Sequence, residues 1–185
     1  MELKSDRQTL LKTKFFRPKL TSDHVKRTSL ISRLNVGSNK QLILVSAPSG
    51  YGKSTLISDW IGHFHLKSSW LSLSEYDDDL ILFIRYFIES IRFSIPGFGE
   101  AIIQMLQAPE KPTNDFFCKI TANELSLLDD HFYLTVDDYH FIHDPEIHAF
   151  VQELLRFPIP YFHLIIITRR DSKFIITEQK TLLLK

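Results

Sequence analysis

A strand-forming run, Leu42-Ile43-Leu44-Val45, opens into Ser46-Ala47-Pro48-Ser49-Gly50-Tyr51-Gly52-Lys53-Ser54-Thr55, and no other stretch restricts the fold as much. Two glycines in three residues permit positive φ and let a ligand approach the backbone closely. Successive N–H groups in such a loop converge on an anion. Leu56, Ile57, Trp60 and Ile61 then recur at helical spacing, so the loop ends at the positive pole of a helix dipole. Lys53 adds a full charge, and Ser54 offers a hydroxyl to Mg²⁺. A buried strand, a glycine loop and a helix in that order predict an α/β protein that binds phosphate.

The pattern is a P-loop with Ala47 where the first glycine usually stands. Ala47, Pro48, Ser49, Gly50, Tyr51, Gly52, Lys53, Ser54 and Thr55 are the expected phosphate cradle. A ligand-free glycine turn is the alternative, and the flanking strand and helix argue against it.

Further strands are expected at Ser69–Leu73, His131–Val136 and His163–Thr168, and helices at about Thr28–Leu34, Leu80–Ser94, Ala101–Leu106, Asp115–Leu128 and Pro145–Phe157. Strands alternating with helices predict a central parallel sheet flanked on both faces. Ligands then sit beyond the carboxyl ends of the strands, where Asp137-Asp138 and Thr168-Arg169 meet the P-loop. An apolar strand ending in two carboxylates reads as a Walker B motif. Asp137 is assigned to Mg²⁺ with Ser54, and Asp138 to orienting or deprotonating water, with Lys53 as the other catalytic group. Arg169 either reaches a γ-phosphate or is a surface arginine after a strand; Arg170 is read as solvated.

Other features carry less. Asp77-Asp78-Asp79 reads as a solvated, capped helix start. His63/His65 and His140/His143 lack a third ligand and read as structural or surface histidines, and Trp60 and Trp70 as packing. Residues 1–19 read as an extended basic arm anchored by Phe15 and Phe16, and the tail from Lys173 is ambiguous between strand and helix. With 22 basic and 22 acidic residues, the chain has no global basic field to drive non-specific nucleic-acid binding. The single Cys118 excludes an internal disulfide. The N-terminus lacks a signal-peptide core and no apolar run is long enough to span a bilayer, so a cytoplasmic location is expected.

Beyond the P-loop, the chain resembles the nucleotide-binding domain of the MalT-like, large ATP-binding LuxR-family regulators, which are STAND-class P-loop NTPases. The resemblance rests on Thr13-Lys14-Phe15-Phe16-Arg17-Pro18, Val25-Lys26-Arg27-Thr28-Ser29-Leu30, Ser46 to Trp60, Trp70 to Glu75 with Asp77, Val136 to Ile142, and Ile166-Ile167-Thr168-Arg169. It implies a three-layer fold of the ASCE/AAA-like kind, with ATP or ADP and Mg²⁺ as cofactors and Arg27 close to the nucleotide. Residues 1–36 would form an arm and short helix flanking the site, and 37–185 the P-loop core. Family members are several times longer, so the lid and winged-helix parts are expected to be absent, and the core to be incomplete at its C-terminus unless a fifth strand lies in Phe174–Leu184.

The expected function is an ATP-binding, slowly hydrolysing switch domain of a transcriptional regulator, at most a weak ATPase. Its partners would be nucleotide and a second copy or a family protein, with no direct DNA binding. Two alternatives stay open: a small stand-alone P-loop ATPase or kinase, for which Arg85, Arg92 and Arg169-Arg170 are the only lid candidates, and a non-hydrolysing, nucleotide-dependent interaction module.

Overall fold

In the computed structural model, residues 9–21, 24–169 and 181–184 are described. Five strands, β1 (Leu42–Ser46), β2 (Ser68–Ser72), β3 (Phe132–Asp137), β4 (Phe162–Thr168) and β5 (Thr181–Leu184), form one sheet in the order β2-β3-β4-β1-β5. Every neighbouring pair is parallel. The helices are α1 (Thr28–Val36), α2 (Lys53–His63), α3 (Leu80–Ser94), α4 (Glu100–Leu106), α5 (Asn114–Ser126) and α6 (Pro145–Arg156).

Alternation along β1 sorts the helices into layers. Leu42 and Leu44 belong to a core shared with α3, α4, α5 and α6, whereas Ile43 and Val45 belong to one shared with α1 and α2. Covered on both faces, the central strands read as unbroken apolar runs. Trp60 packs edge-on against Tyr133 at 5.3 Å in the second core, as expected of a packing residue. β4 lies between β1, which leads into the P-loop, and β3, which ends in Asp137, so Arg169 emerges between the two strand ends.

The N-terminal arm departs from the extended form expected of it. Lys12–Phe15 makes a 3-10 turn, closed by the Lys14 N–H on the Leu11 carbonyl (3.1 Å), and it buries Phe15 while Phe16 stays 55% exposed. Lys14 Nζ donates to Ser74 Oγ at 2.9 Å and pairs with the Asp77 carboxylate. Further on, Ser58 Oγ of α2 donates to the Pro18 carbonyl at 2.6 Å. The arm therefore passes from the α3 face to the α2 face around the β2 edge.

That wrapping corrects the reading of the aspartate run. Only Asp79 caps α3, accepting from the Leu82 N–H at 2.9 Å. Asp77 is 2% exposed and joined to Lys14, not solvated. Asp78 accepts from the His143 and Asp144 N–H groups, both at 2.8 Å, tying the loop after β2 to the turn after β3. The ambiguous tail supplies a fifth strand, Thr181–Leu184, paired with β1 from Leu42↔Thr181 to Val45↔Leu184. Arg170 lies outside the described residues.

Candidate nucleotide site

β1 carries the chain to the P-loop, whose start is held by the Ala47 N–H on the Thr168 carbonyl of β4 (3.4 Å). Gly50 and Gly52 adopt φ of 82° and 68°, and Gly52 is the residue from which α2 starts. A side chain at Gly50 would meet open space, so its glycine is required by conformation alone. At Gly52 a Cβ would also stand 3.4 Å from the Arg27 guanidinium. Arg27, which precedes α1, is thereby brought to the first turn of α2, where the N–H groups and dipole favour an anion.

Lys53 Nζ donates to the carbonyls of Ala47 (2.7 Å) and Pro48 (3.0 Å). The ammonium thus spans its own loop, and an incoming phosphate competes with two neutral carbonyls for it. A charge-assisted bond to phosphate is the stronger of the two. Tyr51 is 59% exposed at the loop tip.

Asp137 is 5% exposed at the end of β3. Burial raises its carboxyl above the usual 3.8, while a hydrogen bond from the Ser54 hydroxyl opposes the rise; the Asp138 charge adds to it, and the Asp138 N–H bond and Lys53 charge work against it. Ser54 on α2 and Asp137 at the end of β3 are thus near enough for the hydroxyl to act on the carboxylate. A buried carboxylate and a hydroxyl fit a hard cation such as Mg²⁺, which prefers one or two protein oxygens and fills its shell with water and phosphate. Among the described residues no group of three or more His, Cys, Asp or Glu side chains is placed to hold a metal by itself. The donor set therefore suits a metal that arrives with phosphates.

Asp138 adopts φ 57°, ψ 35°, a left-handed conformation that aspartate tolerates at a cost of about 1 kcal/mol. Its N–H donates to Asp137 Oδ1 at 2.9 Å, and its carbonyl accepts the Phe141 N–H at 3.1 Å. Turned out of the strand, its carboxylate is 40% exposed, with Arg169 Nη2 at 3.9 Å and His140 Nδ1 at 3.7 Å from Oδ1. These are charge contacts longer than hydrogen bonds. Arg169 thus lies at the end of β4 next to Asp138, with its side chain 45% exposed.

Three residues escaped the sequence. His140, read as structural or surface, lies beside Asp138. His24 and Asp59 line a cavity of about 270 Å³ next to the P-loop, together with Thr21, Arg27, Gly52 and Thr55. His24 Nδ1–H donates to the Thr21 carbonyl at 2.9 Å, and Nε2 faces Asp59 Oδ2 at 3.4 Å. Thr55 and Asp59 are four apart on α2, so they share one helix face; that spacing was the one available signal.

Compared with characterised proteins, the chain is 31% identical over 161 residues to the HTH-type transcriptional regulator MalT from two strains of Klebsiella pneumoniae. The chain has a P-loop NTPase fold and is similar in sequence to part of MalT. The match takes in 86% of this chain but 18% of either relative, so the chain spans less than a fifth of their length. Cdc6p from Pyrobaculum aerophilum has the same fold, with a TM-score of 0.54 and 12% identity over 91% of this chain and 47% of that one. A chain of Drosophila ORC bound to GC-rich DNA and Cdc6 matches with a TM-score of 0.52 and 16% identity, over 85% and 53%. At such identities the likeness shows the fold and nothing more. No family model matches the chain. Among the described residues no helix is long and apolar enough to cross a membrane.

Proposed function

We propose that this domain binds ATP and ADP with Mg²⁺ and acts as the slowly hydrolysing switch of a cytoplasmic transcriptional regulator. The observation that carries this reading is the convergence at the start of α2 of Lys53, whose ammonium is held on the Ala47 and Pro48 carbonyls, with Ser54 and the buried Asp137 carboxylate, whose charge both residues favour. It unites two motifs that the sequence keeps far apart. In this reading Ala47 through Thr55 cradle the phosphates, Lys53 neutralises them, and Ser54 and Asp137 hold the metal. Asp138 orients water, Arg169 contacts the γ-phosphate, and the arm and α1 form the nucleoside side through Arg27.

Mg²⁺ supplies charge neutralisation of the phosphates when bound. The chain's own residues place the remaining groups. The αL turn aims the Asp138 carboxylate out of β3, and Arg169 and His140 bracket it. Asp138 is open to solvent, and a site that does not exclude water and has not gathered its groups around substrate hydrolyses slowly.

Calorimetric titration of ATP and ADP with Mg²⁺, together with single-turnover phosphate release, tests the reading. Lys53→Ala is expected to weaken ATP binding by at least about tenfold. Turnover of the parent chain is expected below the ~1 s⁻¹ lower end of ordinary enzymes. Unchanged affinity in the variant would sink the site assignment, and turnover at ordinary enzyme rates would sink the switch.

A further inference from the structure

At the end of the sheet opposite the P-loop, where β2 and β3 begin, α3 and α5 both finish on one groove of about 500 Å³. Its floor is Phe132, 3% exposed, and its apolar walls are Ile95, Pro96, Leu127 and Leu128. Ile95 and Leu128 pack against the larger core, so the groove is a place where that core reaches the surface. Leu127 stands above the wall with 79% of its surface in water. A large aliphatic side chain exposed beside further apolar surface marks a contact site more often than an accident of folding.

The charge around this groove is lopsided. Lys67 Nζ pairs with Asp130 Oδ2 at 3.0 Å, and Asp129 makes no ion pair among the described residues. The hydrogen bond and charge of Asp130 raise the Lys67 ammonium above its ordinary 10.5, and the Asp129 charge adds to the rise. Two carboxylates therefore face one cation. Both helices also point their negative poles here. The last turn of α5 holds no basic residue, and Arg92 in the last turn of α3 is turned back toward Glu89, at 3.9 Å. An apolar groove and an uncompensated negative rim thus coincide.

We propose that this groove docks a basic amphipathic helix of a separate protein. The apolar stripe of such a helix covers Leu127, Leu128 and Ile95, and the lysines or arginines beside the stripe reach Asp129 and the carbonyl ends of α3 and α5. An occupant confined to the groove would leave Leu127 in water, which favours a polypeptide over a small ligand. Docking is by side chains, because Ser69 and Trp70 are buried and β2 offers no open edge. A second copy is the poorer occupant, since a two-fold contact through this groove sets Asp129 against Asp129 and negative helix poles against each other. The site lies at the far end of the strands from the phosphate loop and does not depend on the nucleotide reading.

A fluorescent helical peptide with leucines three and four apart and lysines beside them is the probe, followed by anisotropy with the full chain. Saturable binding that weakens with added salt is expected. Asp129→Lys should weaken it about tenfold, and a peptide with glutamate in place of lysine should recover binding to that variant. Leu127→Asp separates docking from general attraction: it adds a negative charge, yet should also weaken binding about tenfold by removing the apolar anchor. Both substituted side chains are exposed, and an unchanged melting temperature certifies the variants. Absence of saturable binding, equal or tighter binding by Leu127→Asp, or equal binding of a peptide with serine in place of leucine would each overturn the proposal. So would sedimentation showing a dimer of the parent chain that Leu127→Asp dissociates.

Discussion

Asn in place of Asp137 separates two effects of one carboxylate, and they move in opposite directions. The free carboxylate is 5% exposed and shifted upward chiefly by burial, so its ionised form is a burden on the folded chain. Asparagine retains the observed hydrogen bond, its oxygen accepting the Asp138 N–H now held at 2.9 Å, and its amide can donate toward the Ser54 hydroxyl. Without metal at neutral pH, Asp137→Asn should therefore be more stable by about 1–2 kcal/mol. The sign with pH follows from linkage. Because the folded protein holds the proton more tightly than the unfolded one, ionisation lowers stability fully above the folded pKa and not at all below the ordinary 3.8. The gap between variant and parent should close as pH falls through that window. With Mg-ATP at about a hundred times Kd the parent gains about 2.7 kcal/mol, and the variant, lacking its metal carboxylate, should gain far less. Urea unfolding across pH, with and without Mg-ATP, measures both effects. A variant less stable than the parent in metal-free neutral buffer, or a gap that ignores pH, would refute the reasoning.

Other consequences can be checked in parallel. Lys14→Met strands the buried Asp77 carboxylate and should cost about 3 kcal/mol in urea unfolding, most of it recovered when Asp77→Asn is added. Gly99→Ala places a Cβ 2.4 Å from Ile88 Cγ2 at φ +64°, and should cost about 2–3 kcal/mol. Gly97→Ala, at φ +86° with nothing within 4 Å, should cost about 1 kcal/mol, so thermal melts should rank the two. Burial holds the His163 imidazole below its ordinary 6.5, so its contribution to stability is present above 6.5 and lost as pH falls below it. His163→Phe keeps an aromatic ring on Tyr133, and its stability should fall less steeply on acidification below 6.5.

The phosphate loop and the strand ends were legible because each is local: glycines next to a lysine, an apolar run closing on Asp137-Asp138, another closing on Arg169. What the sequence hid is what it makes from distant partners. The Asp77-Asp78-Asp79 run looked like one helix cap, yet its members answer to Lys14, to the His143 and Asp144 amides, and to Leu82. The His131–His163 pair, 2.7 Å apart, was invisible for the same reason. The Lys40 carbonyl can only accept, so His163 carries its proton on Nδ1 and His131 donates to the other nitrogen. The fifth strand was ambiguous because Thr181–Leu184 is a short apolar run with no period to separate strand from helix. His24 and Asp59 meet only because the arm is carried around the β2 edge.

The strand order has a consequence for how the chain comes to be folded. β1 pairs with β4 and β5, and none of its partners is made near it: the Lys40 carbonyl that enters the strand bonds to His163, 123 residues later. During synthesis Leu42–Ser46, buried at every position in the finished sheet, must wait without either neighbour while most of the chain emerges. Long-range pairing of this kind slows folding and leaves an adhesive strand exposed in the interval. The P-loop therefore gains its fixed shape late, so nucleotide can stabilise the finished fold but cannot template its early steps. Chaperone dependence of this domain should accordingly trace to β1 and its delayed neighbours more than to the loop that follows it.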